Sequence, residues 1–228
     1  MTSNISHNYN RYFLGTKSFF NSIIKKKRIE INKIIEDEIN FEKSKNLLDV
    51  GTTSSLESHE NQIIKHFYDK IDISCLSNLS LEELKSIYSK ISVHIGDGRK
   101  MSFVNNNFDI VTSSATIEHV GNFNNQIKFV SECLRVSKHK LFLTTPNRFF
   151  PIEIHTKIPL IHFFPKKIHR KILNLIGEKY LSLEENLNLL TKKDLIQMCK
   201  ILSIKNFKIK EIKLFGFVSN YILIVEKN

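Results

Sequence analysis

The adjacent residues best equipped to move a proton in this chain are Glu118 and His119. Histidine takes up a proton near neutral pH, so a histidine beside a carboxylate can free a lone pair on an oxygen or nitrogen nucleophile. Other polar residues follow short apolar runs: Asp49-Val50-Gly51-Thr52-Thr53, Ser77-Asn78, Gly96-Asp97-Gly98-Arg99 and Ser113-Ser114. An aspartate beside glycine offers a hydrogen-bond acceptor where backbone can come close, and it is also what a plain turn contains. His155 and His162 are seven residues apart with no carboxylate cluster. That is poor metal-ligand spacing, so no metal is expected.

These runs gain meaning from the elements that must carry them. Residues 46–51 form a short apolar run ending in glycine, as a buried strand does. Strand patterns recur at 70–76, 91–95, 108–113 and 140–144, with helical spacing at 60–67, 81–87 and 126–136. Such alternation predicts βαβ units and a mostly parallel sheet. A later helix spans 191–201, with Thr191 as N-cap and Asp194 at its third position. Residues 207–215 and 221–225 lie too close together for a helical crossover, so they predict an antiparallel hairpin. Open sheets of this kind bind ligands outside the carboxyl ends of their strands, where the polar runs fall.

The chain has 228 residues, 41% hydrophobic and 25% charged, which suffices for a real core. Its 34 Lys and Arg exceed its 23 Asp and Glu by 11. That excess suits an anionic partner and equally a solubilising surface. Cys75, Cys133 and Cys199 have no paired spacing, which fits buried thiols in a reducing compartment. The N-terminus has no secretory apolar region, and no apolar run nears the roughly 20 residues of a membrane span. A cytoplasmic protein is expected, with peripheral contact at an anionic membrane as a secondary expectation. Residues 15–40 space Phe19, Phe20, Ile23, Ile24, Ile31, Ile34 and Ile35 as helices do, around Lys25-Lys26-Lys27-Arg28. They predict an amphipathic helix pair within an N-terminal segment, 1–45, ahead of a domain at 46–228. Within that domain, 147–185 reads as an insertion or acceptor lid.

In order, LLDVGTT, IGDGRKMSFVNNNFDIVTSSATIEHV and ECLRVSKHKLFLTTPNRFFP resemble the successive motifs of class I S-adenosylmethionine-dependent methyltransferases, type 11 group. The resemblance covers about residues 46–150, and the C-terminal hairpin is consistent with it. It implies an α/β, Rossmann-like, seven-stranded, mostly parallel sheet with an antiparallel last strand and helices on both faces. It also implies S-adenosylmethionine as cofactor. Asp49 then accepts from the donor's ammonium or orients the loop, and Gly51 lets the backbone approach the methionine part. Thr52, Ser113 and Ser114 complete that end of the donor set. Asp97 matches the acid that meets the adenine amino group, Gly98 leaves room for the base, and Met101 or Phe103 packs beside it. Glu118 and His119 fall where the group carries an acid–histidine pair facing the methyl-transfer centre.

Two departures from the pattern matter. The family's loop has two or three glycines, whereas Gly51 leads here into Thr-Thr-Ser-Ser. Either hydroxyls hold the donor or the site is degenerate. The family also places an acid after the second strand to hold the ribose hydroxyls. Asp72 fits if that strand is short; Ser77 and Asn78 stand there if it runs to Leu76. Alternation of Ile71, Ile73 and Cys75 favours the second alignment.

The acceptor is constrained mostly by exclusion. Methylation of an exocyclic base amine calls for an Asp/Asn/Ser-Pro-Pro-aromatic tetrapeptide after strand four, where this chain has SSAT. Cytosine-C5 chemistry calls for a Pro-Cys nucleophile, and no cysteine here follows proline. Nucleic acid is therefore not the expected partner. The insertion mixes Phe149, Phe150, Ile158, Leu160, Phe163 and Phe164 with Lys166, Lys167, Arg170 and Lys171. It reads as a buried lid with a wet basic face, or as a segment facing an anionic lipid or phosphate-bearing acceptor. His155 and His162 are second candidates for substrate contact. The expected function is O- or N-methylation of a small-molecule acceptor, with a glycan or lipid-linked precursor preferred. A non-catalytic binding module with a degenerate donor site and an RNA methyltransferase stand as alternatives.

Overall fold

The computed structural model describes residues 17–227. Seven strands form one sheet: β1 (Asn46–Val50), β2 (Asp72–Ser77), β3 (Ser92–Ile95), β4 (Phe108–Ser114), β5 (Ser137–Pro146), β6 (Phe207–Leu214) and β7 (Phe217–Glu226). Their order is β3-β2-β1-β4-β5-β7-β6. The first five strands run parallel, and β7 lies antiparallel to both β5 and β6. Only Phe215 and Gly216, both at positive φ, join β6 to β7. A two-residue turn of this kind forces a hairpin.

Side-chain alternation within each strand splits the core between the two faces. Leu47 joins Ile31, Ile35, Ile64 and Phe67 on one face, whereas Leu48 and Val50 join Phe129, Cys133, Leu195 and Met198 on the other. The first face is covered by α1 (Lys17–Asp37), α2 (Gln62–Phe67) and α3 (Glu82–Ile87). The second is covered by α4 (Phe123–Val136) and α6 (Lys192–Ile201). Asn122 caps α4, and Thr191 with Asp194 forms a reciprocal capping box on α6.

Several boundaries differ from the sequence reading. Residues 17–37 make one helix rather than a pair, because no Gly or Pro interrupts it and Ile31 and Ile35 bury along one stripe. The side chains of Phe19 and Phe20, and residues 15–16, lie outside the described residues. Strand β5 reaches 146 rather than 144 because β7 pairs along it as far as Pro146. The insertion contains a 3-10 turn at Ile161–Phe163 and one α-helix, α5 (Lys166–Leu175), whose Leu173 packs with Leu181, Leu187 and Leu189. Strand β2 settles the two alignments: Asp72 pairs with Asn46 at the amino end, so Ser77 and Asn78 occupy the carboxyl end.

Candidate active site

At the carboxyl end of β1 the Gly51 N–H donates to Leu76 O at 2.8 Å and turns the chain off the sheet. Gly51 has φ +91°, and a Cβ there would lie 2.2 Å from Thr116 Oγ1. A Cβ at Gly98 would lie 2.6 Å from a Phe129 ring carbon. The sequence reading gives both glycines to a ligand, and in the fold a protein side chain also stands close to each. Glycine is required at 51 by the left-handed backbone as well as by the close approach.

Asp49 is buried, and both its oxygens are engaged. Thr52 Oγ1 donates to Oδ2 at 2.8 Å and Thr112 Oγ1 to Oδ1 at 3.0 Å. Burial raises its pKa to about 6, and those hydroxyls with the charge of Arg28 on α1 offset only part of the rise. Ser113 Oγ donates to Val50 O at 2.9 Å, and Ser114 Oγ lies 3.3 Å from Thr144 Oγ1. Both serines are thus tied to neighbouring strands. Ser77 is buried with Oγ accepting from Leu79 N at 3.2 Å, and Asn78 is exposed. At the tip of β3 the Arg99 fork holds the exposed Asp97, Nε to Oδ1 at 3.0 Å and the terminal nitrogen to Oδ2 at 2.7 Å. Those bonds hold the Asp97 carboxyl below its ordinary range. Met101 is buried, and Phe103 stands edge-on to His94 and Phe108.

A second cluster follows β4. Glu118 is fully buried; its Oε2 accepts from Thr145 Oγ1 at 3.0 Å and its Oε1 has no partner. His119 keeps an exposed edge, with Nδ1 2.6 Å from Asn186 O and Nε2 3.0 Å from His155 Nε2. His155 Nδ1 lies 2.5 Å from Glu153 Oε1, and the His155 and Thr156 N–H groups also donate to that carboxylate. A carbonyl only accepts, so Nδ1 of His119 carries its proton; the Glu153 carboxylate fixes the same tautomer on His155. The two Nε2 atoms therefore face one another, as two lone pairs when His155 is neutral and as an Nε2–H donor to the His119 lone pair when His155 is charged.

Burial, then the neighbouring His155, pushes His119 below the usual histidine pKa. Burial opposes charge on His155 too, but the charge and hydrogen bond of Glu153 override it and hold that ring above the usual value. Burial likewise works against Glu153, which the His155 charge and three hydrogen bonds carry down to about 2. Glu118 and His119 were legible as a pair; Glu153, Asn186 and Thr145 were not. The spacing Glu153-x-His155 was the available signal. His162 bonds Phe150 O through Nε2 and belongs to the packing of the insertion.

Beside this cluster, Arg148, Lys166, His169 and Arg170 line a pocket with Leu187, Asn188 and Leu189. Asn188 links pocket and cluster: its N–H donates to Glu118 O at 2.7 Å, and its Oδ1 accepts from Lys166 Nζ at 2.6 Å. Burial lowers the Lys166 pKa and takes His169 down to about 4, which leaves His169 uncharged near neutral pH, while Arg170 is paired with Glu184 at 2.6 Å.

Residues 48–143 match the family described as a methyltransferase domain. No curated protein matches the chain in sequence. The fold is similar to a SAM-dependent methyltransferase from Methanosarcina mazei, at 15% identity and TM-score 0.58, covering 85% of this chain and 96% of that one. It is also similar to the 1,6-didemethyltoxoflavin-N1-methyltransferase of Burkholderia thailandensis, at 6% identity and TM-score 0.61, over 94% and 85% of the two chains. A SAM-dependent methyltransferase from Aquifex aeolicus shares 11% identity at TM-score 0.56, over 91% and 97%.

Proposed function

We propose that the chain is a class I S-adenosylmethionine-dependent methyltransferase of the type 11 group, a reading supported by the methyltransferase-domain match over residues 48–143 and by the shared fold, and that it methylates an oxygen or nitrogen of a small acceptor bearing an anionic group. A glycan or lipid-linked precursor carrying phosphate is the preferred class. The observation that carries this reading is the shared wall, residues 186–188, between the Glu118–His119–His155 cluster and the basic pocket.

The donor-side residues fit a cationic amino acid joined to a nucleoside. Asp49 is a buried carboxylate short of counter-charge, and it suits the ammonium of the donor. Asp97 at the tip of β3 suits the adenine amino group, Ser77 and Asn78 the ribose, and Thr52, Ser113 and Ser114 the lining between them. When bound, the sulfonium supplies an activated methyl group and its leaving group together. The chain must orient the nucleophile in line and take away its proton, and alignment supplies much of the rate. His119, held below the usual histidine value with its Nε2 facing His155, is the group that can receive that proton. Arg148, Lys166 and Arg170 would hold the acceptor's phosphate, as charge-assisted donors do. The same insertion exposes Phe149, Phe163, Phe164 and Leu175 beside its lysines, which supports peripheral contact at an anionic membrane for a lipid-linked acceptor.

Calorimetry with S-adenosylhomocysteine tests the donor half. The wild type is expected to bind one equivalent, and Asp97→Ala to weaken that binding about tenfold, as losing a charged hydrogen-bond acceptor for the base does. Absence of binding would instead support the non-catalytic module. For the acceptor half, transfer of labelled methyl is compared across sugar phosphates, polyprenyl-phosphate sugars, their neutral counterparts and RNA. Label confined to phosphate-bearing small molecules, and lost in Arg148→Ala, is the expected result. Equal labelling of neutral sugars, or labelling of RNA alone, would overturn it.

A further inference from the structure

Glu118, His119 and His155 each present a ligand atom, and those atoms all lie within 4.8 Å of one another. Two features of the cluster are unexplained by protein contacts alone. The Nε2 atoms of the two rings face each other at 3.0 Å with both Nδ1 protons already committed to Asn186 O and Glu153. Two lone pairs at that distance repel unless a cation lies between them, either the second proton of a charged His155 or a metal ion. Nearby, Oε1 of the fully buried Glu118 has no partner at all, an arrangement that costs free energy in a folded chain.

We propose that Glu118, His119 and His155 form a binding site for one divalent transition-metal ion at the acceptor end of the sheet. A shared proton would answer the facing lone pairs but leave Glu118 Oε1 unsatisfied; a metal ion answers all three. The separation of 3.0 Å is that of adjacent ligands on an octahedral ion with bonds of about 2.1 Å. Glu153 behind His155 and the Asn186 carbonyl behind His119 hold each ring in the metal-binding tautomer, as outer-shell partners do. Two imidazoles and one carboxylate suit Zn²⁺, Mn²⁺ or Fe²⁺ over the oxygen-seeking Mg²⁺ and Ca²⁺. Three protein ligands leave coordination positions open to a substrate atom.

The role of the ion rests on the methyltransferase reading above. An acceptor hydroxyl bound at an open position has its pKa lowered. Its proton leaves to solvent, its oxygen lone pair forms the new O–C bond, and the donor's C–S bond breaks to release S-adenosylhomocysteine. In this arrangement the Nε2 lone pairs serve the ion, and the ion does the work of deprotonation. The site also makes the acceptor a hydroxyl compound, which narrows the choice between O- and N-methylation.

Chelator-treated full-length protein is titrated with Co²⁺, read by visible d–d absorption, and then with Zn²⁺ in competition. One equivalent of Co²⁺ is expected to bind and to be displaced by Zn²⁺. His155→Ala should weaken binding at least about 100-fold, while Glu153→Gln, which removes no ligand, should cost about tenfold to 100-fold. S-adenosylhomocysteine affinity of the same variants controls for folding and is expected to be unchanged. Failure of the wild type to take up one equivalent, or uptake that survives His155→Ala, overturns the site. Uptake of Co²⁺ without donor binding would uphold the site and overturn the methyltransferase reading; donor binding without uptake would do the reverse.

Discussion

The strand tips proposed to hold the donor and the cluster proposed to meet the acceptor are built in opposite ways. Residues at the proposed donor end come from strand tips, and each is held by a neighbour in the chain or on the adjoining strand: Asp49 by Thr52 and by Thr112 of β4, Asp97 by Arg99. The acceptor cluster joins residues far apart in the chain, with His119 reaching Asn186 and His155, and Gln126 reaching the Asn188 carbonyl. One end is set by strand order, the other by how the insertion folds back. Strand order tolerates changes in loop composition, which explains how a loop with one glycine keeps its place. The acceptor end depends on a fold-back of 147–190, so its chemistry can change without disturbing the sheet.

Substitutions can break this division. His119→Ala should cut methyl transfer about 10²- to 10⁴-fold, the usual cost of losing the group that frees the nucleophile, as a base or as a ligand of the ion, while leaving S-adenosylhomocysteine affinity unchanged. Equal loss of both would show that the two ends are not separate. Gly51→Ala acts on the other side. Its Cβ would meet Thr116 at 2.2 Å from a left-handed backbone, so a loss of about 2–4 kcal/mol is expected in chemical denaturation. Adding Thr116→Ala should recover the steric part and leave only the backbone strain.

A third measurement sharpens the donor end by pH. The Asp49 carboxyl is raised from 3.8 to about 6 in the fold. Between those values the native state holds a proton that the unfolded chain has released, so stability falls as pH rises through that window and then levels off. The span is worth roughly 2–3 kcal/mol. Asp49→Asn should flatten the midpoint of thermal unfolding between pH 4 and 6, to a degree set by the about two-unit shift. An unchanged slope would mean that Asp49 is ionised in the fold. The smallest effect belongs to neither end: Thr191→Ala removes the α6 capping box and should cost about 1 kcal/mol without changing donor affinity.

Much of the fold was readable because local rules agree with the tertiary outcome. Leu47, Leu48 and Val50 alternate between two buried faces, and a run that is apolar on both sides belongs in the middle of a parallel sheet. The short connection between β6 and β7 left only a hairpin, and Thr191 with Asp194 announced the start of α6. The single long α1 was harder to foresee, because its basic run masked a continuous stripe. The place of Asp72 depended on where β2 begins, and that is fixed by pairing with β1, not by the composition of β2.

The sequence by itself determined the sheet, its order of polar strand ends and the Glu118–His119 pair. These follow from periodicity and from motifs whose members lie within a few residues of each other. Tertiary structure alone decided that His155 faces His119, that Glu153 and Asn186 set the ring tautomers, and that Thr116 and Phe129 fill the space at Gly51 and Gly98. It also decided that Arg148 and Lys166 line one pocket beside that cluster. Those contacts span separations set by how the insertion packs on the sheet, and no local spacing encodes a distance between side chains that meet only after the chain has folded.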